Sequence, residues 1–194
     1  MTRFSFRSFV SSRNHFRTVL FSIVAVFGLA VLFAYVTDTT AKVRIGEMPK
    51  SSVAKFPLRM STGREISLMD LRGKVAVINF FAVWCGHSRL HTQTLTKFGE
   101  EDTRRGLQIV GLAVDDAETT PQRVSEFIAQ MKITYPVGLV TDDVFKKYVE
   151  SKDLSVPQTL VYGRDGRLVG HFIGHDDSVA AELTETIKRE LDKQ

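Results

Sequence analysis

The hydrophobic pattern begins with one long apolar run near the N-terminus. Thr18 to Val36 are 19 consecutive positions without a charged residue, proline, asparagine or glutamine. An α-helix rises about 1.5 Å per residue, so about 20 apolar residues cross the ~30 Å hydrocarbon core of a bilayer. The run therefore predicts a transmembrane helix over residues 18–36.

Downstream of residue 53, the apolar positions predict alternating strands and helices. Residues 75–82 and 107–114 are nearly continuous apolar runs, which are typical of central strands buried on both faces. The remaining predicted elements are a hairpin at 56–60 and 64–68, helices at 88–105, 121–131, 144–149 and 177–192, and a hairpin at 159–162 and 168–173. Strands that alternate with helices and end in a hairpin and a helix predict an α/β sandwich with a mixed sheet.

Composition and length then divide the chain into segments. With 43% hydrophobic and 25% charged residues, the composition is that of a globular protein and excludes a disordered or collagen-like chain. Residues 37–53 lack apolar periodicity and are predicted to be a linker. Residues 54–194 are long enough for one domain with a single compact core.

The charge is concentrated before the apolar run. Arg3, Arg7, Arg13 and Arg17 stand there without an acidic residue, and the rest of the chain has 22 basic and 22 acidic side chains. A basic N-terminal flank favours retention of that end in the cytoplasm, so residues 1–17 are predicted to be a cytoplasmic tail and the domain to be exported. The neutral balance of the domain argues against nucleic-acid binding.

Two other interpretations of the apolar run are less consistent with the sequence. A buried core helix would have a polar face, which this run lacks. A cleaved signal peptide has a shorter apolar region, about 7–15 residues, and a small-residue cleavage site. Thr39-Thr40-Ala41 is a weak site of that kind. An uncleaved anchor is therefore the favoured interpretation, and export follows from either the anchor or the signal peptide.

The only cysteine lies where the strand predicted at 75–82 gives way to a helix. A single thiol excludes an internal disulfide and a zinc site made of several cysteines. Cys85 would lie at the helix N-terminus, where unpaired N–H groups and the helix dipole stabilise a thiolate. Gly86 would permit a tight turn, Trp84 would shield one side of the sulfur, and His87 would tune the thiolate or move a proton. The alternative is that Cys85 is a small buried hydrophobic residue.

Residues 79–88 resemble the active-site signature of the thioredoxin-like superfamily. Asn79 and the run Trp84-Cys85-Gly86-His87-Ser88 match the pattern F-W-A-x-W-C-x-x-C, with Ser88 in place of the second cysteine. About 70 residues further on, Val156-Pro157-Gln158-Thr159 resembles the cis-proline loop of that superfamily. Asn79, the first hairpin and the N-terminal anchor are similar to the TlpA-like branch, whose domain is a redoxin (AhpC/TSA-like) domain.

The resemblance implies a fold, a site and an activity. The fold is a thioredoxin-like three-layer sandwich around a mixed sheet, over nearly all of residues 54–194. In the TlpA-like branch, membrane-tethered bacterial proteins exchange thiols and disulfides, often for cytochrome c maturation. Cys85, His87 and Ser88 would form the reactive site, and Trp84, Gly86, Val156 and Pro157 would contact the client polypeptide. Asn79 and His91 would tune the thiol, and no cofactor or metal is expected.

Ser88 separates this chain from a dithiol protein. The second thiol of a C-x-x-C site resolves the mixed disulfide that the first one forms, and a hydroxyl forms no S–S bond. Ser88 would still hydrogen-bond the Cys85 thiolate. Three explanations remain open: a monothiol mechanism resolved by glutathione or a partner cysteine, a loss of redox turnover with retained binding, or a substitution introduced to trap a partner.

Other polar residues carry weaker hypotheses. His91 stands where the branch often has a glutamate, and is interpreted either as a proton acceptor or, preferably, as a partly exposed helix histidine. Cys85, His87 and His91 together offer ligands for copper(I), which is disfavoured because a second cysteine is missing. His171 and His175 are interpreted as surface or structural residues. Asp115, Asp116 and Glu118 are typical of a solvated loop rather than a cation site.

A one-cysteine peroxidase is a further alternative. Sites that resemble that family have a Pro and a Thr or Ser just ahead of the cysteine, and residues 80–84 include none of these.

The favoured function is thiol–disulfide exchange through Cys85 by an anchored, extracytoplasmic, periplasm-facing protein, with client proteins, glutathione or apocytochrome c as partners. An oxidising compartment makes that chemistry plausible. The alternative is a redox-inactive module that binds client polypeptides.

Overall fold

The computed structural model describes residues 45–193. The predicted tail, the predicted membrane helix at 18–36 and the first part of the predicted linker lie outside these residues. Within residues 45–193, no helix combines the length and the apolar character that crossing a membrane requires.

A five-stranded mixed sheet forms the centre of the domain. Its order is β5-β4-β3-β6-β7, with β3 parallel to β4, β4 parallel to β5, and β6 antiparallel to both of its neighbours, β3 and β7. The strands are β3 Val75–Phe81, β4 Leu107–Val114, β5 Val137–Val140, β6 Gln158–Tyr162 and β7 Leu168–Ile173. A separate short hairpin consists of β1 Leu58–Arg59 and β2 Glu65–Ile66. The predicted α/β sandwich with a mixed sheet is confirmed.

Helices cover both faces of this sheet. They are α1 Ser51–Ala54, α2 Gly86–Asp102, α3 Pro121–Met131, α4 Asp142–Val149 and α5 Asp177–Asp192, with 3-10 turns at Leu68–Leu71 and Thr103–Arg105. Alternate residues of β3 point to opposite faces, so Ile78 and Phe80 pack in one apolar layer and Val77 and Phe81 in the other. The first layer includes α4 and the hairpin, and the second includes α2, α3 and α5. All seven residues of β3 are buried, as its continuous apolar run predicts.

The small hairpin is joined to the sheet edge at a glycine. Met60 forms an isolated antiparallel bridge with Gly138 of β5. A Cβ at Gly138 would lie 2.6 Å from the backbone oxygen of Arg59, closer than real Cβ atoms come. A residue without a side chain is therefore required for the hairpin to cover this edge of the sheet.

The described part of the predicted linker packs on the domain. Gly46 N–H donates to Leu168 O at 2.6 Å, and Leu168 N–H donates to Glu47 O at 3.0 Å. Val53, in α1, is buried in the first apolar layer. These contacts connect residues 45–54 to the start of β7 and to the core.

Most predicted elements match the observed ones to within two residues, but β5 was missed. Its four residues are too few for a periodicity to appear, and one of them is glycine. The helix predicted from residue 88 begins at Gly86. Thr120 caps α3 by accepting the N–H of Arg123, as the Thr-Pro sequence there indicates.

Candidate functional site

Cys85 lies at the junction between the end of β3 and helix α2. It is the N-cap residue of α2, with an extended backbone, and its carbonyl accepts the N–H of Arg89 at 3.2 Å. The side chain is partly exposed rather than fully buried. The interpretation of Cys85 as a small buried hydrophobic residue is therefore not supported, and the thiol is accessible at a helix N-terminus.

The loop before the neighbouring strand β6 meets the thiol. The Val156–Pro157 peptide bond is cis, as the resemblance implied, and it directly precedes β6. The Cys85 thiol donates to Val156 O at 3.5 Å. Because β6 pairs antiparallel with β3, the start of β6 comes to the end of β3 where Cys85 follows.

Ser88 is turned inward, away from solvent. Its side chain is completely buried, and its Oγ accepts the N–H of Ala82 at 3.4 Å. The expected hydrogen bond to Cys85 is not made, since the thiol donates to Val156 O instead. Ser88 therefore supports the turn between β3 and α2 and offers no second reactive group.

Trp84 reaches away from the core to a neighbouring loop. Its side chain is 53% exposed, and Nε1–H donates to Asp116 Oδ2 at 2.8 Å. Partial burial raises the pKa of Asp116, but the hydrogen bonds from Trp84 and from the N–H of Glu118 outweigh it and leave the pKa below its ordinary value. This loop, predicted to be solvated, thus holds the indole beside Cys85.

Gly86 does not have the role that was predicted for it. Its φ is outside the left-handed region, and a Cβ added there would meet no heavy atom within 4 Å. The turn into α2 therefore does not require glycine. Gly86 leaves the surface next to the thiol open instead.

Three histidines from two distant segments of the chain meet beside helix α2. His87 Nδ1 lies 3.1 Å from the backbone oxygen of His175, in the loop between β7 and α5. His91, one turn further along α2, places its Nδ1 3.2 Å from Nδ1 of His175, with the two rings edge to face at 88°. His175, interpreted from the sequence as a surface or structural residue, is partly buried and contacts both helix histidines, because the sheet brings the end of β7 next to α2.

His91 connects this cluster to the centre of the sheet. Its Nε2 lies 2.7 Å from Thr159 Oγ1, and that hydroxyl donates to Asn79 Oδ1 at 3.1 Å. Asn79 and Thr159 are paired across β3 and β6, and both are completely buried. The Nδ2 of Asn79 has no hydrogen-bond partner among residues 45–193.

The preferred interpretation of His91 as a partly exposed helix residue is also wrong. Its side chain is only 1% exposed. Burial, with a smaller contribution from His175, lowers the pKa of His91 to about 4. His91 is therefore neutral at physiological pH, which the hydrophobic pattern does not reveal because the first turns of α2 bury polar residues.

The remaining candidates lie outside this cluster. His171 is partly buried and contacts Gln158 Oε1 through Nε2 at 2.9 Å; burial lowers its pKa, partly offset by Asp153. Of the residues that the structure describes, no three metal-ligating side chains are placed to hold an ion.

Two site residues were missed by sequence reasoning, His175 and Thr159. Thr159 belongs to the Val-Pro-Gln-Thr motif, so the motif itself was a signal for it. His175 follows Gly174 at a strand end and carries no local signal, since only the pairing of β6 with β7 places it here.

The chain resembles known proteins over most of its length. Residues 49–171 match the AhpC/TSA family. The thiol-disulfide oxidoreductase ResA of Bacillus thuringiensis (strain Al Hakam) is 24% identical over 165 residues, which are 84% of this chain and 89% of that protein.

Solved structures show the same fold. A putative protein disulfide isomerase from Bacteroides thetaiotaomicron is 27% identical, with a TM-score of 0.68 over 79% of this chain and 93% of that chain. A putative thiol:disulfide interchange protein DsbE from Chlorobium tepidum is 22% identical, with a TM-score of 0.63 over 75% of this chain and 99% of that chain. The mixed α/β fold described above is thus thioredoxin-like.

Proposed function

The chain belongs to the AhpC/TSA family, and from that premise we propose that it exchanges thiols and disulfides through Cys85 alone. In this monothiol mechanism, the Cys85 thiolate attacks a disulfide and one sulfur of that disulfide leaves as a thiolate. An external thiol, such as glutathione or a client cysteine, then attacks the mixed disulfide and releases Cys85. The similarity of this chain to relatives named thiol-disulfide oxidoreductase supports this class of chemistry.

One observation carries the proposal. The only thiol of the chain is partly exposed at the N-terminus of a 17-residue helix, with its Sγ facing Val156 O of the cis-proline loop. A helix N-terminus favours the thiolate, and the neighbouring loop offers backbone groups to an extended client. The buried Ser88 hydroxyl supports the monothiol form, since Cys85 is the only thiol in the sequence.

The proposal extends to location and partners. The apolar run at 18–36 with its arginine-rich flank supports a tether in the cytoplasmic membrane, with the domain on the extracytoplasmic, periplasmic side. There, client protein disulfides are the substrates, and apocytochrome c is one candidate through the resemblance to the TlpA-like branch. Neither nucleic acid nor a cofactor is part of this function.

Reaction with oxidised glutathione tests the chemistry. The reduced full-length protein, in detergent at pH 7, should gain one glutathione per chain, and Cys85→Ser should gain none. Because the helix stabilises the thiolate, the reaction should be several-fold faster in the folded protein than in the same chain unfolded in urea. Mass spectrometry of timed samples measures both rates.

A variant that restores the missing thiol is the matched control. Ser88→Cys places a thiol one helical turn from Cys85, so the glutathione adduct should be lost as the two sulfurs form a disulfide. A folded wild-type protein that gains no glutathione, or gains it no faster than its unfolded form, would contradict the monothiol proposal.

A second candidate function, a binding module without redox turnover, is favoured by the exposed indole. Trp84 is 53% exposed and directly precedes Cys85, so a large apolar side chain is presented next to the thiol. This alternative predicts that Cys85→Ser still binds an unfolded polypeptide with wild-type affinity and that Trp84→Ala does not. Loss of binding in Cys85→Ser would exclude it.

A further inference from the structure

Three large apolar side chains are exposed where the described chain begins and packs on the domain. Ile45, Met48 and Met69 are 58%, 43% and 43% exposed. Met48 and Met69 line the same cavity of about 250 Å³, and Met48 Cε lies 3.4 Å from the place that a Cβ on Gly166 would take. No residue of the Cys85 site lines this cavity, so these exposed side chains are not part of that site.

Basic side chains surround the three apolar ones. Lys55 and Arg72 line the cavity as well, and Arg72 Nε lies 3.7 Å from the same place above Gly166. Arg167 Nη1 donates to Gly46 O at 2.8 Å, one residue after Ile45. We call this surface the linker patch; its members are Ile45, Met48, Met69, Lys55, Arg72, Lys74, Arg164 and Arg167.

Two of its basic residues extend the linker patch along the edge of the sheet. Arg164, in the turn between β6 and β7, donates to Gly73 O at 3.3 Å through Nη1 and to Arg105 O at 2.9 Å through Nη2. Lys74 follows Gly73 and is exposed. Because backbone carbonyls do not neutralise a guanidinium, the edge of the sheet that precedes β3 is positively charged.

The linker patch carries more positive than negative charge. Three carboxylates stand on the same segments, Glu47, Asp70 and Asp165, beside five basic side chains. Within residues 45–193, Arg167 is the only one of those five in an ion pair, with Asp165 at 3.5 Å. A chain that is neutral after its first 17 residues therefore has a basic surface at this edge.

The linker patch and the thiol lie at opposite ends of the central strands. Lys74 precedes β3 and Cys85 follows it, and seven strand residues at ~3.3 Å each separate those ends by about 23 Å. Likewise, β7 begins at Leu168, which bonds to Gly46, and ends at Ile173. A surface that contacts the linker patch therefore leaves the thiol accessible.

The chain that leads to the linker patch is short. Eight residues, 37–44, separate Ile45 from the apolar run at 18–36. A fully extended chain spans at most ~3.6 Å per residue, which gives about 29 Å for this segment. If the run crosses the membrane, as the proposed function holds, Ile45 stays within that distance of the lipid surface. Lys42 and Arg44 in this segment add to the positive charge next to the patch.

We propose that the linker patch binds an anionic lipid surface and that the edge with the thiol faces away from the membrane. The isoleucine and methionine side chains enter the boundary between headgroups and acyl chains, and the lysine and arginine side chains bind lipid phosphates. Such surfaces bind through buried apolar area and through attraction to anionic lipids, and the patch offers both. This inference rests on the membrane tether of the proposed function, not on the chemistry of Cys85.

Quenching of a fluorescent label by spin-labelled lipid tests the contact. The full-length chain is placed in vesicles of phosphatidylcholine, alone or mixed with phosphatidylglycerol. One sample carries the label on Met69→Cys in the Cys85→Ser background. The matched control carries it on native Cys85, at the opposite edge. We expect quenching at position 69 to be at least about twofold stronger in the anionic vesicles and to weaken at high salt, which screens the charges. The label on Cys85 should be unquenched in both.

Two pairs of charge variants test which side chains hold the lipid. Arg72→Gln combined with Lys74→Gln should remove most of the additional quenching that anionic vesicles cause at position 69. Lys97→Gln combined with Lys152→Gln removes two exposed positive charges outside the linker patch and should leave the quenching unchanged. Equal quenching of position 69 in neutral and anionic vesicles, or stronger quenching at Cys85 than at position 69, would overturn the inference.

The outcomes separate this inference from the proposed function. If alkaline carbonate extracts the protein from the vesicles, the tether fails and the inference falls with it. If the protein stays in the membrane and gains glutathione while the label at position 69 is unquenched, the function stands and the linker patch does not bind lipid. If that label is quenched and no glutathione adduct forms, the inference stands and the monothiol chemistry fails.

Discussion

At the scale of single residues, burial and hydrogen bonding together keep the His91 imidazole neutral. An imidazole that is 1% exposed loses the hydration that its charged form needs. Thr159 and His175 each form a hydrogen bond with one ring nitrogen, so the buried neutral imidazole has a partner at both nitrogens. The consequence is that the protonation of His91 opposes folding.

The sign of the resulting pH dependence follows from the two pKa values. Histidine in an unfolded chain titrates near 6.5 and His91 in the folded protein at about 4, so the unfolded state binds more protons between these pH values. Stability should therefore fall as the pH falls from 6.5 towards 4. We expect the free energy of unfolding to be ~2 kcal/mol lower at pH 5 than at pH 7.

Urea unfolding at the two pH values measures this difference, and His91→Gln should reduce it. A smaller dependence should remain, since burial also lowers the pKa of His171. His87→Gln is the matched control on the same helix, because His87 is exposed, and it should keep the wild-type dependence. An equal pH dependence in the His91→Gln and wild-type proteins would show that His91 is hydrated in solution.

At the scale of secondary-structure elements, two glycines distinguish close packing from open surface. Gly138 lies where the hairpin bridges β5, and a Cβ there would be 2.6 Å from the Arg59 oxygen and 3.0 Å from Met60 Cε. Gly86, at the start of α2, has no heavy atom within 4 Å of such a Cβ. The same substitution should thus have opposite effects at the two positions.

We expect Gly138→Ala to destabilise the protein by about 1–3 kcal/mol, because the β1–β2 hairpin must shift away from the sheet edge. Gly86→Ala should leave stability equal or raise it by about 0.4–1 kcal/mol, since alanine restricts the unfolded chain and fits the helix. Chemical unfolding of both variants checks the pair. A Gly138→Ala protein as stable as the wild type would mean that the hairpin does not cover β5 as described.

At the scale of the whole molecule, the single cysteine reports the orientation of the chain. If the arginine-rich end stays in the cytoplasm, Cys85 is outside. A membrane-impermeant maleimide should then label Cys85 in intact spheroplasts that express the full chain. A chain with Ser11→Cys in the Cys85→Ser background should be labelled only after lysis, because residue 11 lies in the predicted cytoplasmic tail. Labelling of Cys85 only after lysis would contradict the proposed topology.

The sheet also explains how distant segments make one site. β3 ends at Phe81, β6 begins at Gln158, and their antiparallel pairing places Cys85 and Val156 at the same edge. β7 ends at Ile173 opposite Gln158, which brings His175 to that edge as well. The two apolar layers on the faces of the sheet hold this edge in place, since both contain residues of β3.

Strands and helices with a continuous or periodic apolar pattern could be predicted from the amino-acid sequence. The runs at β3 and β4, the stripe of α3 and the turn before β7 are local signals, because burial against one sheet imposes a local period. Sequence motifs also predicted that Cys85 lies at a helix N-terminus and that Val156 and Pro157 belong to a cis-proline loop.

The burial of polar residues and the contacts between them depend on how the strands and helices pack together. The inner face of α2 carries Ser88, His91 and Thr92 before it becomes apolar at Leu95, so its pattern resembles an exposed face. Their burial is possible because groups from other strands, such as the Thr159 hydroxyl, satisfy the His91 ring. His175 lies more than 80 positions from His87 and His91, so their contact depends on strand pairing and no local pattern encodes it.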